Sequence, residues 1–307
     1  MTGELTLELN CRTDRTEDFA RSATAWLTEA RAELFPAYEA GLADEPAAQG
    51  PDENDPDAPW GRPHGVCAQL LVQRAPHGPG LRPSRYSRRT WKRLLSTLPT
   101  PSAPYTCLLL MHLLDARGHP VDHEHAVSVE FRRSPEHPGW TRFAASAPAA
   151  LLPWPGSEEV QQRWLGLLGD WAVRLNAAYG HLTDDADPAF GTALERMLNL
   201  SPEDTVPHSD RTLRGYAWGT LCSAEVAARV GGPEALRASG AFHAVTELPG
   251  GRLLLKATPR LEHYTGDAPA RVLRALAPAL PPGRTDRAYL HSWMRLAPDG
   301  DAADWQR

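Results

Sequence analysis

The segment HPVDHEH places His119, Asp122, His123, Glu124 and His125 within seven residues. On an extended chain His123 and His125 face the same side, the arrangement of a chelating imidazole pair. With His119 they form the candidate metal ligands, and His112 on the preceding strand would approach across a hairpin. Neither HExxH nor facial-triad spacing is present, so a solvated polar turn competes with the metal reading. HLTDDADP supplies His181, Asp184, Asp185 and Asp187. Clustered carboxylates offer oxygen ligands to Mg²⁺. They also make turns and helix N-caps, and the cap reading is favoured because Pro188 suits a first helical turn.

Charge gives two further candidates. Arg74, Arg82, Arg85, Arg88, Arg89, Lys92 and Arg93 form a run with no acidic residue between them. Arg85, Arg88 and Arg89 are its candidate anion-binding residues: guanidinium groups grip phosphate, and Tyr86 would stack on a base. The competing reading is a solvated face, or a surface paired with the acidic run Asp44, Glu45, Asp52, Glu53, Asp55 and Asp57. That acidic run would instead mimic phosphate and enter a basic cleft of a partner, where opposite potentials speed encounter. Asp52, Glu53, Asp55 and Asp57 are therefore candidate partner contacts.

Covalent chemistry has no support. There is no GxSxG elbow and no cysteine-protease signature. Cys11, Cys67, Cys107 and Cys222 are far apart and form no CxxC pair. Cys107 and Cys222 lie in apolar strand contexts, where a thiol is an inert small hydrophobe. No phosphate-binding glycine motif occurs. The sequence names no catalytic residue and calls for no cofactor.

These residues must be positioned by an α+β scaffold. Leu5, Leu7 and Leu9 alternate with polar neighbours, predicting a first strand with one buried face. Phe19, Ala23, Trp26, Leu27, Ala30 and Leu34 predict a long helix over 16–39. The acidic, proline-rich stretch 43–64 reads as a long loop. Val66 to Arg74 predicts a strand and Arg88 to Leu98 a helix. Two strands flank the His-rich turn, and GWTRFAASAP adds a third. In the second half, a helix begins near Ser157, AYGHLT is a strand, and Pro188 to Leu198 is helical. Arg214 to Leu221 reads as a strand, and residues 242–248 and 252–257 flank PGG as a hairpin. Ala268 to Leu280 reads as a helix, and RAYLHSWMRL closes the chain as a strand. Between them, VAARVGGPEALRASGAFHAV forms two short helices. Ser223 is the N-cap, Gly231 and Gly240 take left-handed positions after helix ends, and Pro233 opens the second helix.

The whole predicts two similar halves, 1–150 and 151–307, with mostly antiparallel sheets packed by amphipathic helices. At 307 residues the chain buries a core without staples, and most of its ten tryptophans fall in apolar-periodic segments that point inward. A net charge of −6 disfavours wholesale nucleic-acid binding. No apolar run approaches a membrane span. The strand-like N-terminus lacks a signal-peptide core, so a cytoplasmic location is expected.

AYGHLT, then RGYAWGTLCSAEVAARVGGPEALRASGAFHAVTELPGGRLLLKAT, then YTGDAPARVLRALAPALPPG resembles the C-terminal part of the bacterial type VI immunity-like family, a domain of unknown function. The shared features are Tyr179-Gly180, the strand with Tyr216 and Trp218, the Gly231-Gly232 pair with Leu236, the PGG hairpin, and the helix before Pro281-Pro282. The resemblance spans about Tyr179 to Gly283, roughly a third of the chain. It implies neutralisation of a partner toxin by direct binding, with no catalytic residues to carry over, and it makes Tyr216 and Trp218 candidate contacts. The alternative is an enzyme or ligand-binding protein with a cleft between the halves, using the His119 to His125 turn or the Asp184 to Asp187 cluster. A nucleic-acid role for Arg82 to Arg93 ranks third.

Overall fold

The computed structural model describes residues 4–43, 55, 57–76, 80–122, 126–148, 158–186 and 191–306. The chain divides into two compact units, Thr13–Pro148 and a second made of Met1–Arg12 with Ala149–Arg307. The first strand, β1 (Glu4–Arg12), thus belongs with the C-terminal residues. All described strand pairs are antiparallel, as expected of an α+β chain.

In the Thr13–Pro148 unit, α1 (Thr16–Ala25) runs into a π-helical turn at Trp26–Ala30 and then α2 (Arg31–Leu34). The expected single helix stops there. Pro36 lacks the N–H to continue and disfavours helical geometry at Phe35, which sits at φ −128° and ψ 58°. Pro36 instead opens α3 (Pro36–Ala43). The strands are β2 (Val66–Gln73), β3 (Arg82–Arg85), β4 (Thr106–Leu113), β5 (Val127–Arg133) and β6 (Trp140–Pro148), in the order β3-β2-β4-β5-β6. α4 (Arg88–Thr97) follows β3. Phe131 and Phe143 pair across β5 and β6. Phe19 packs edge-on against Phe131 at 5.2 Å, and the Trp26 indole donates to the Ala144 carbonyl at 3.2 Å.

In the second unit α5 (Glu158–Arg174) packs on β1, β7 (Ala177–Thr183) and β8 (Gly219–Cys222). Trp164, Leu168 and Trp171 are buried there. Gly180 permits this approach, since a Cβ would lie 2.8 Å from the Glu8 carbonyl and 3.1 Å from Leu168. After α6 (Ala193–Leu198) and α7 (Pro202–Thr205), the stretch 224–240 folds as α8 (Ala224–Arg229) and α9 (Gly232–Ala238). Ser223 accepts from the Val226 amide at 3.0 Å, and Gly231 and Gly240 take φ of +86° and +64°. β9 (Ala244–Leu248) and β10 (Arg252–Lys256) form the PGG hairpin, and α10 (Ala268–Leu276) ends in a 3-10 turn. The strand order is β1-β7-β8-β10-β9.

Two expected strands differ. Of the predicted Arg214–Leu221 strand only the end, from Gly219, lies in β8; before it, Leu213 donates to Ala279 and the Arg214 carbonyl accepts from Thr192, so the chain is held by loop contacts instead of a ladder. RAYLHSWMRL is no strand either. Its backbone closes turns, Tyr289 to Asp286 and Met294 to His291.

Candidate functional site

A groove of about 460 Å³ opens beside the β2–β3 hairpin. Leu70 pairs with Ser84 and Val72 with Arg82 in the hairpin register. Residues directly opposite share a face, so all four look to one side. α4 contributes Thr90, Arg93 and Leu94, which follow one another on one helix face. Leu70 and Leu94 are buried and give the groove an apolar floor. Arg74, Arg82 and Arg93 line it with their charged heads exposed.

The helix that forms the wall is locally well specified. Ser87 accepts from the Thr90 amide at 3.1 Å while Thr90 Oγ1 accepts from the Ser87 amide at 2.8 Å, a reciprocal capping box. Trp91 faces inward, with Tyr86 at 5.6 Å between ring centroids and the buried Arg31 guanidinium 4.8 Å above its ring. Arg31 is paired with Glu39 at 2.5 Å.

Among the described residues, no carboxylate lines the groove, and Arg74, Arg82, Arg85, Arg89 and Arg93 make no ion pair. Most other described arginines are engaged, as Arg142 is with Glu130 and Arg237 with Glu234 and Glu247. Of the expected anion-binding trio, Arg85 and Arg89 are exposed outside the groove, and Arg88 donates to the Ala43 carbonyl at 2.7 Å.

The other candidates separate. Asp55 and Asp57 are exposed, whereas Asp52 and Glu53 lie outside the described residues. His119 sits in a turn ordered by Asp115, whose carboxylate accepts from the Arg117 and His119 amides at 2.7 and 2.9 Å. These amides hold the Asp115 carboxyl below its usual range. His112 is buried against Trp60 at 5.2 Å. His123 and His125 lie outside the described residues. Among the described residues no three His, Cys, Asp or Glu side chains converge as metal ligands would. Tyr216 and Trp218 correct the expectation of surface contacts: both are buried. Tyr216 Oη accepts from the Ala297 amide at 2.9 Å and the Trp218 indole donates to the Thr258 carbonyl at 2.9 Å, which satisfies their polar ends inside the core.

Nor do Asp184 and Asp185 cap a helix. Thr192 and Glu195 form the capping box of α6. Asp184 instead forks onto Arg295, with Nη2 to Oδ2 at 2.5 Å, and Arg295 Nη1 reaches the Tyr264 carbonyl at 3.1 Å. Asp185 accepts from Thr183 Oγ1 and from the Arg295 amide, and burial pushes its carboxyl up to about 6. Asp187 lies outside the described residues. These two aspartates hold the C-terminal segment.

A buried charge network in the second unit has no counterpart in the sequence reading. Arg214 forks onto Glu195 at 2.8 and 2.9 Å, donates to Asn10 at 2.8 Å, and also bonds Glu8. Burial alone would lower the guanidinium pKa, but Glu8 and Glu195 outweigh it and raise it. His181 and Tyr179 lie opposite Glu8 and Asn10 in the β1–β7 register, so this sheet face is polar and still buried. The T-x-x-E pattern at Thr192 signals the cap of α6. Nothing local signals Arg214, whose partner Glu8 is 206 positions away.

No family model matches this chain, and no curated protein matches it. Among solved structures it is similar to a Pseudomonas aeruginosa T6SS protein, at 18% sequence identity and a TM-score of 0.50, covering 99% of this chain and 81% of that one. At this identity the likeness establishes a shared fold. Among the described residues, no helix is long and apolar enough to cross a membrane.

Proposed function

We propose that this chain is a protein-binding component associated with type VI secretion, and that it neutralises a partner toxin by direct occlusion. The observation that carries this reading is the fold likeness to a T6SS protein over 99% of the chain. The resemblance of residues 179–283 to the immunity-like family points the same way. Occlusion demands a preformed surface more than a reactive group, because ordering a mobile surface on binding costs affinity. The charge network around Arg214, the capped helices and the Asp184–Arg295 fork favour such a scaffold.

The test is affinity purification of the tagged chain from its own host at low and moderate salt, followed by size-exclusion chromatography. One stoichiometric protein partner that survives moderate salt, and whose toxicity the chain relieves on co-expression, is the expected result. A chain that elutes alone at both salt concentrations overturns the reading.

A further inference from the structure

We propose that the groove between the β2–β3 hairpin and α4 receives an acidic segment of a protein partner. An apolar side chain of that segment sits on Leu70, Val72 and Leu94, and flanking carboxylates meet Arg74, Arg82 and Arg93. The proposal rests on the partner-binding reading above and adds the chemistry of the contact.

Three features select this occupant. First, the groove collects positive charge that no described side chain neutralises. A guanidinium presents a planar fork of donors that fits a carboxylate in a two-point contact, so each free arginine is a ready half of a charge-assisted pair. Second, its floor is apolar and its volume of about 460 Å³ suits a few side chains. An anchor in an apolar pocket ringed by charged residues is the usual anatomy of a protein contact. Third, the surroundings disfavour nucleic acid. Tyr86, the ring expected to stack on a base, is buried against Trp91. β3 is the end strand of its unit, and Pro83 has no N–H to donate to an added strand. Recognition therefore falls to the arginine side chains and the apolar floor.

The direct probe is a fluorescein-labelled octapeptide of alternating glutamate and leucine, titrated by anisotropy against the full chain. A lysine–leucine octapeptide and a short oligo-dT serve as comparisons. The acidic peptide is expected to bind, to weaken as salt rises, and to lose about tenfold or more in affinity in the R82E/R93E double variant. Both substituted residues are exposed, so the variant keeps the melting temperature of the parent. Absence of acidic-peptide binding, or equal binding by R82E/R93E, overturns the proposal. Tighter binding of oligo-dT overturns it as well and assigns the groove to nucleic acid. Co-purification separates this idea from the broader one. A partner retained undiminished by R82E/R93E removes the groove but leaves partner binding intact. A parent chain that elutes alone removes the partner reading, while the peptide titration still reports on the groove.

Discussion

Replacing Arg214 with Met tests the buried charge network where it is most exposed to refutation. The guanidinium is the cation of a cluster that holds the carboxylates of Glu8 and Glu195 away from water. Arg214→Met removes the guanidinium that bonds the buried carboxylates of Glu8 and Glu195. Removing one partner of such a cluster costs about 3–5 kcal/mol, because the remaining charge is stranded in a poorly solvating interior. For a domain of 150–250 residues each kcal/mol moves the melting temperature by about 2–4 °C, so the expected loss is about 6–20 °C. The decisive arm is the double variant Glu195→Gln/Arg214→Met. Relieving one stranded carboxylate makes the double variant more stable than the single one, although Glu195→Gln alone destabilises the parent. Calorimetry of the parent, the two single variants and the double variant reads these effects. A single variant that melts within about 2 °C of the parent, or a double variant less stable than either single one, refutes the reasoning.

Asp185 gives an independent pH signature: its carboxyl rises from 3.8 to about 6 on burial, so the stability it contributes is present below its unfolded value and lost as pH climbs toward 6. At about 1.4 kcal/mol per pH unit this window spans about 3 kcal/mol, and Asp185→Asn should flatten urea stability across it; an unchanged slope contradicts the assignment. Gly231 sits at φ +86° with an added Cβ 2.8 Å from that of Ala235, so Gly231→Ala should lose about 1–2 kcal/mol in urea melts, and an unmoved midpoint removes the strain. All four thiols are buried, and burial raises the Cys11 and Cys107 pKa values and takes Cys222 up to about 12. Ellman's reagent should label none of them in native buffer and all four in denaturant; rapid labelling of the folded protein is the contrary result.

Local chemistry made several elements legible in the sequence. The alternation of Leu5, Leu7 and Leu9 gave β1, because a strand must place every second residue on the apolar face. Ser223, Gly231, Pro233 and Gly240 gave the boundaries of α8 and α9, since each satisfies or avoids a backbone constraint within four residues of itself. The basic run was also visible, and the fold gathered three of its arginines into one groove.

Tertiary structure decided what those residues face. Thr6, Glu8 and Asn10 alternate with the leucines and read as the wet side of β1, yet they are buried. Arg214, on the segment that also carries Glu195, bonds Glu8 and Asn10. A polar residue looks the same in sequence whether water or a distant guanidinium satisfies it. Tyr216 and Trp218 read as an aromatic strand, yet they precede β8, and Ala297 and Thr258 reach their polar ends inside the core. Asp184 and Asp185 had the composition of a cap, and only the return of Arg295 made them a clamp. Strand period, helix caps and charge runs have local causes and were readable along the chain. The pairing of Arg214 with Glu8, of Arg295 with Asp184, and of the hairpin with α4 was decided by folding, because each joins groups that only long-range contacts bring within a few ångströms.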